Sequence, residues 1–228
     1  MSRTRLFILI SFIFGISATL YVWFGERNVI DMLTREDGIV EYLSVLFYMA
    51  ALVACFIALF KNEHKFLTLV WAILCFLFIG EEMSWFQRLF DYSVPWVEDL
   101  NKQKEFNLHN LNIFQSGKLT DASIELSDFL EAQNLFRLGF FGYFIVLPFL
   151  LNIPILRGFL LKLGYKKPDI GFILVLIFVL ALSFTATILC PSFVKRAMAE
   201  TREMLYAYFI MAYVIIYIWP DDKIHPTG

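Results

Sequence analysis

The sequence predicts an all-α fold, that of a polytopic membrane protein with about six transmembrane helices and one long extracytoplasmic segment. Hydrophobic residues make up 59% of the 228 residues, and charged residues make up only 18%, against about 25% in an average soluble domain. The apolar residues also form runs of roughly 20, the length that a helix needs to cross a bilayer. A soluble domain of this size needs a polar surface that this composition does not supply.

Six apolar runs are long enough to be transmembrane helices. We interpret the first run as a retained helix rather than a cleaved signal, because its apolar part continues to Phe24. The whole chain, 1–228, is predicted to be a single integral membrane domain, with 91–133 as the extracytoplasmic segment. The six predicted helices cover about 5–24, 38–60, 66–89, 136–156, 170–190 and 203–219.

Lysine and arginine residues predict that both termini are cytoplasmic, because basic loops remain on that side of the membrane. With this orientation, nine of the 19 Lys and Arg residues fall in inner segments and ten in outer ones. The inner segments are much shorter, so their positive density is about double. The net charge of −2 gives no electrostatic basis for binding nucleic acid. The predicted surroundings are the lipid bilayer, and the oligomeric state is unknown from the sequence.

The stretch GEEMSWFQRLF, 80–90, places two adjacent carboxylates in the third predicted helix. A charge at the centre of a membrane helix costs about 2.5–3.5 kcal/mol on insertion scales, so such residues are rare unless they are paired or functional. Glu81 lies about fifteen residues into the helix, roughly 22 Å from its inner end. We expect Glu81, Ser84 and Arg88 to share one stripe of this helix, with Glu82 turned away.

The neighbouring helix and the last helix contribute further polar groups. The short connection after the second predicted helix makes it antiparallel to the third, so Glu41 and Ser44 are expected to lie near the level of Glu81. Gln87 is expected on the side away from Glu82. Glu203 stands at the predicted outer mouth of the sixth helix, where the helix dipole alone would favour it.

The segment NKQKEFNLHN, which begins at Asn101, carries a second cluster. Glu105 and His109 are spaced i, i+4, which on a helix places a carboxylate and an imidazole on one face as a pair of metal ligands. The alternation that includes Asn107 equally fits an extended stretch lying over the third helix. If a metal binds, the predicted ligands are the hard and borderline donors that suit a divalent cation: Glu81, Glu82, Glu105 and His109.

These two motifs together resemble an uncharacterised family of bacterial multi-pass inner-membrane proteins. That family has a Gly-Glu-Glu-x-Ser-Trp-x-Gln-Arg helix followed by an Asn-x-Gln-x-Glu-x-Asn-Leu-His-Asn segment, and the likeness covers roughly 35–115. Phe86 stands where the family has glycine, so close helix packing is not expected there. The resemblance implies a location in the bacterial inner (cytoplasmic) membrane and brings no activity with it.

The favoured hypothesis is a metal-dependent enzyme that acts on a lipid or lipid-linked substrate at the outer membrane face. Glu81 and Glu82 would hold the ion, which activates water, and Arg88 would hold an anionic headgroup. The same carboxylates can instead pair with arginines and only hold the helices together. The sequence is also compatible with an accessory or binding subunit that docks a membrane protein partner, and with a proton-coupled transporter.

Overall fold

The structure is a computed structural model that describes residues 3–35, 37–61, 65–92, 94–98 and 131–219. Every regular element in these ranges is helical, which confirms the all-α fold class. Ser84–Phe86 forms a 3₁₀ turn, and the α-helices are α1 (Arg3–Phe24), α2 (Arg27–Thr34), α3 (Ile39–Phe60), α4 (Lys65–Glu82), α5 (Gln87–Phe90), α6 (Pro95–Glu98), α7 (Ala132–Phe141), α8 (Pro154–Lys162), α9 (Ile170–Leu189) and α10 (Ser192–Tyr213).

The chain forms two compact units. The first consists of residues 1–76 and 158–228, and the second consists of residues 77–157. α4 begins in the first unit and ends in the second, and α8 does the reverse. The prediction of a single integral membrane domain stays a prediction, and most of the segment expected outside the cytoplasm, 91–133, lies outside the described residues.

Five helices within the described ranges are long and apolar enough to cross a membrane. Large apolar side chains cover much of their exposed surface, which in a soluble protein would form a patch far beyond the usual size. The protein is therefore a polytopic membrane protein. The five candidate spans are Thr4–Phe24, Ile39–Phe60, Ala132–Leu150, Ile170–Leu189 and Ser192–Ile218.

The third predicted span corresponds to α4, which is not among these five. α4 has 18 residues, about 27 Å of helix at 1.5 Å per residue, slightly less than the hydrocarbon thickness of about 30 Å. It also carries three charged residues, Lys65, Glu81 and Glu82. The total of six transmembrane helices therefore stays a prediction that depends on α4.

α10 is the central helix of the first unit and packs against α1, α3 and α9. Its buried side chains include Met198, Leu205 and Phe209. A polar contact joins α10 to α1 within this core, where the Tyr208 and Ser11 hydroxyl oxygens lie 3.2 Å apart. Because Ser11 already donates to the Phe7 carbonyl oxygen at 2.7 Å, its hydroxyl is left to accept from Tyr208.

The close contact between α1 and α9 requires a glycine at residue 15. A Cβ atom there would lie 2.3 Å from Cγ1 of Val179, and a β-branched side chain has little freedom to move away. We expect Gly15→Ala to lower the free energy of unfolding by about 1–3 kcal/mol through overpacking. Thermal unfolding in detergent measures this change. Gly158→Ala is the matched control, because its Cβ would meet nothing within 4 Å, and an equal loss there would contradict the packing argument.

Both described termini lie at the same end of the first unit. A Cβ at Gly171, at the start of α9, would contact Cδ1 of Ile8, near the start of α1, at 3.4 Å. The Asp169 N–H, just before α9, donates to the Tyr217 hydroxyl near the chain's last described residue at 2.9 Å. The starts of α1 and α9 therefore lie at the same end of the unit as the C-terminal end of the span Ser192–Ile218.

In the second unit, one proline shapes the helix that follows the long undescribed segment. α7 continues through a π-helical segment, Gly142–Val146, into a last turn that contains Pro148 and ends at Leu150. Pro148 has no N–H and its ring crowds the carbonyl of Phe144, four residues earlier, which accounts for the wider π turn at that point. Aromatic rings line this helix on one side, where Phe78 packs on Phe136 with ring centroids 5.4 Å apart.

Candidate functional site

The two adjacent carboxylates are the last two residues of α4. The helix ends at Glu82, not near residue 89 as the hydropathy predicted. The C-terminus of a helix carries a partial negative charge that disfavours carboxylates by roughly 0.3–1 kcal/mol each. Glu81 and Glu82 therefore do not stabilise the helix that carries them, and both side chains are half-buried.

A left-handed turn begins at Ser84, one residue beyond these carboxylates. Ser84, Trp85 and Phe86 have φ values of 46°, 51° and 63°, the region that only glycine occupies without cost. Left-handed backbone costs a residue with a side chain roughly 1–2 kcal/mol, so the three residues together store several kcal/mol. Such strain persists only where the surrounding contacts impose it, and it is concentrated at active sites and ligand clamps.

Trp85 is the residue that the turn holds in place. Its indole Nε1–H donates to Oε1 of Glu81 at 2.8 Å, and its carbonyl oxygen accepts from the Tyr92 hydroxyl at 2.8 Å. Its ring lies against Gly80, where a Cβ atom would be 2.8–2.9 Å from three ring atoms. The Gly-Glu-x-x-x-Trp spacing thus has a physical basis, because glycine makes room for the ring and the carboxylate accepts its N–H.

The turn changes the predicted arrangement of the neighbouring polar residues. The expected stripe of Glu81, Ser84 and Arg88 does not form, because the α-helix stops before Ser84. Ser84 is buried, and Gln87 begins the short helix α5. The side chain of Arg88 lies outside the described part of the structure, so its role as a headgroup ligand stays a prediction.

The predicted metal ligands are only partly within the described ranges. The ligands Glu105 and His109 lie outside them, and so does the supporting residue Asn107. Among the residues that the structure does describe, no group of three or more His, Cys, Asp or Glu side chains is placed to hold a metal ion. The metal site predicted at Glu81 and Glu82 therefore stays a prediction.

Glu41 has a local role in the first unit that the sequence interpretation missed. It lies in the first turn of α3, and its Oε2 accepts the backbone N–H of Asp37 at 2.9 Å. This contact resembles a capping box, in which a Glu in the first turn reaches back to the residues before the helix. Ser44 is buried and its hydroxyl donates to the Val40 carbonyl oxygen at 3.2 Å. The expected meeting of these residues with Glu81 stays a prediction.

The last helix begins much earlier than its hydropathy predicted. α10 starts at Ser192 instead of about residue 203, so Glu203 is not at a helix N-terminus and the dipole explanation for it is wrong. Arg202 lies ten residues into α10, about 15 Å along the helix, and is only 6% exposed. A buried charge in a membrane span marks a candidate functional or structural centre.

The buried guanidinium of Arg202 is held by two residues of α9. Its Nη1–H donates to the Thr187 hydroxyl oxygen at 3.0 Å, and its Cζ lies 4.4 Å from the centroid of the Phe184 ring. Thr187 in turn donates to the Ser183 carbonyl oxygen at 2.9 Å. α9 therefore supplies an acceptor and a cation–π surface for this buried charge.

Removing the acceptor for Arg202 is expected to destabilise the first unit. Thr187→Val keeps the side-chain volume but leaves a buried charged N–H without this partner, which costs about 1–3 kcal/mol. Thr201→Val is the matched control, because the buried Thr201 hydroxyl donates to the Ala197 carbonyl oxygen at 2.8 Å and accepts nothing from Arg202. Denaturation of both purified variants measures the difference. Equal stability of the two variants would contradict this account of Arg202.

Comparison with family models, with curated proteins and with solved structures finds no match to this chain.

Proposed function

We propose that the protein is a metal-dependent membrane enzyme that acts on a lipid or lipid-linked substrate, with its reaction centre at the C-terminal end of α4. The observation that carries this proposal is the strained turn at Ser84–Phe86, which follows two carboxylates at the unfavourable end of a helix. A site that only held the helices together would need neither the strain nor the unfavourable dipole.

The hydrogen bond from Trp85 gives Glu81 a defined orientation. Carboxylates that bind metals are commonly fixed by an outer hydrogen-bond donor, and loss of that donor lowers metal affinity about 10–100-fold. The indole Nε1–H occupies that position toward Oε1 of Glu81. Glu82 adds the second carboxylate, and in this proposal Glu105 and His109 complete the ligand set.

The bound ion would polarise a phosphoryl or acyl oxygen of the substrate or lower the pKa of a bound water. The chain's own residues would hold and orient the reacting groups. Glu81, fixed by Trp85, would present one carboxylate oxygen in a constant direction. Arg88 would hold an anionic headgroup, because a guanidinium binds phosphate through two parallel N–H groups.

Metal analysis of the purified full-length protein tests this proposal. The protein is equilibrated with Mg²⁺, Mn²⁺ or Zn²⁺, passed through a desalting column, and assayed by elemental mass spectrometry. We expect close to one equivalent of one metal, and a loss of at least about tenfold in affinity for His109→Ala. An accessory subunit would instead retain no metal and would co-purify with a membrane partner, and a transporter would show ion or solute flux in liposomes.

The orientation and family membership are part of the same proposal. The start of α9 lies close to the start of α1 and to the C-terminal end of the last span, Ser192–Ile218. This proximity supports an arrangement with both termini on one side of the membrane. Termini on the same side require an even number of membrane crossings. Because the other candidate spans among the described residues number five, α4 would be the sixth transmembrane helix. The placement of both termini in the cytoplasm of a bacterial inner membrane follows from the basic loops and from the family resemblance. Reporter fusions to each terminus test the orientation.

A further inference from the structure

The connection between α8 and α9 in the first unit begins with a tightly defined helix end. The Tyr165 N–H donates to the Leu160 carbonyl oxygen at 2.9 Å, and the Gly164 N–H donates to the Leu161 carbonyl oxygen at 3.0 Å. Gly164 has a φ of 86°, which completes a Schellman motif. Tyr165 and Leu160 are both buried, as the hydrophobic contact of that motif requires.

Three more hydrogen bonds fix the same connection along its length. These bonds join the connection to α4 and to the span Ser192–Ile218. The backbone of the connection is therefore attached to the unit at both ends and in the middle. The bonds run from the Leu67 N–H to the Leu163 carbonyl oxygen at 3.3 Å, from the Tyr213 hydroxyl to the Lys166 carbonyl oxygen at 2.7 Å, and from the Asp169 N–H to the Tyr217 hydroxyl at 2.9 Å.

This connection carries basic residues, and exposed apolar side chains precede them on α8. We call Lys162, Lys166 and Lys167 the lysine loop. Within the described part of the chain, none of the three forms an ion pair. On the adjoining turns of α8, Phe159 and Leu161 are exposed, with 58% and 49% of their surface accessible. Basic residues next to exposed apolar side chains are typical of a segment at the interface between lipid headgroups and acyl chains.

We propose that the lysine loop binds the phosphate headgroups of anionic phospholipids, with Phe159 and Leu161 in contact with the upper acyl chains. The lysine ammonium groups complement the lipid phosphate in charge. Because the loop backbone is already ordered by its hydrogen bonds, binding requires little further ordering of the chain. This lipid site does not depend on the reaction proposed for the α4 end.

Lipid retention by the purified full-length protein tests the proposal. The protein in neutral detergent is titrated with phosphatidylglycerol or phosphatidylcholine, and bound lipid is counted by native mass spectrometry. We expect wild type to prefer phosphatidylglycerol, and Lys166→Gln/Lys167→Gln to lose roughly fivefold in that preference for each lysine removed. The control Arg35→Gln/Lys195→Gln removes two exposed basic residues from the opposite end of the unit and is expected to retain the wild-type preference.

Equal binding of the two lipids by wild type would overturn the proposal, and so would the same loss in the control variant. A salt titration of wild type makes the test independent of whether the lysine variant folds. At an ionic strength of about 1 M the Debye length is only about 3 Å, so the preference for phosphatidylglycerol is expected to disappear. A preference that persists at that ionic strength would show that the headgroup charge does not determine binding.

Discussion

Glu81→Gln and Glu82→Gln are each expected to lower metal affinity at least tenfold, and the double variant is expected to retain no metal after desalting. A neutral amide keeps the shape of the side chain but removes the charge that holds a hard or borderline cation. The loss should be specific to affinity, because the amide introduced by Glu81→Gln still offers an oxygen to the Trp85 indole N–H. Isothermal titration of the purified variants with the retained metal measures the effect.

The matched control for this loss is Glu26→Gln/Asp31→Asn. It also removes two carboxylates, and both lie exposed at the surface of the first unit, near and within α2. We expect this control to bind metal as wild type does. If the control loses as much affinity as the double variant at the α4 end, metal binding reflects the total charge of the protein and not a site at Glu81 and Glu82.

Gly80→Ala is expected to disturb the strained turn and to weaken the hydrogen bond between Trp85 and Glu81. The added methyl group would lie 2.8–2.9 Å from three atoms of the Trp85 ring, so the indole, which donates its Nε1–H to Glu81, would have to shift. Overpacking of this kind costs about 1–3 kcal/mol. Loss of the orienting N–H should also lower metal affinity about 10–100-fold.

Two measurements follow the effects of Gly80→Ala. The indole N–H signal of Trp85, assigned in a spectrum of ¹⁵N-tryptophan-labelled protein by its absence in Trp85→Phe, should shift toward the position of a solvent-bonded indole. Thermal unfolding should occur at lower temperature than in wild type. Gly139→Ala is the control, since its Cβ would meet nothing within 4 Å. An unchanged Trp85 signal in Gly80→Ala would contradict the proposed packing.

Apolar composition predicts most of the long helices. It does not predict the end of α4, because the turn that ends this helix contains no glycine. The apolar pattern continues through Trp85, Phe86 and Phe90, so hydropathy extends the third helix past its true end. A positive φ is normally adopted by glycine, but here three residues with side chains adopt it. Contacts of Trp85 with Gly80, Glu81 and Tyr92 accompany that turn, and hydropathy does not reveal them.

Hydropathy places the start of α10 too late, because polar residues occupy the first turns of that helix. The apolar pattern is interrupted by four charged residues, Lys195, Arg196, Glu200 and Arg202. The prediction therefore begins the last helix after them. The structure continues the helix through these residues because Arg202 finds an acceptor and an aromatic ring on α9, and a buried face that includes Val194 and Met198 packs against Val22 and Ile30. Tertiary contacts of this kind outweigh local polarity and are invisible to hydropathy.

The most direct test of the central claim is X-ray diffraction from crystals of the full-length protein that are grown with Mn²⁺, measured at a wavelength where manganese scatters anomalously. We predict one anomalous peak within about 2.5 Å of carboxylate oxygens of Glu81 and Glu82, with the Trp85 indole donating to Glu81. An ordered α4 end with no peak in saturating Mn²⁺, or a peak held entirely by other residues, would contradict the claim that these carboxylates form a metal site.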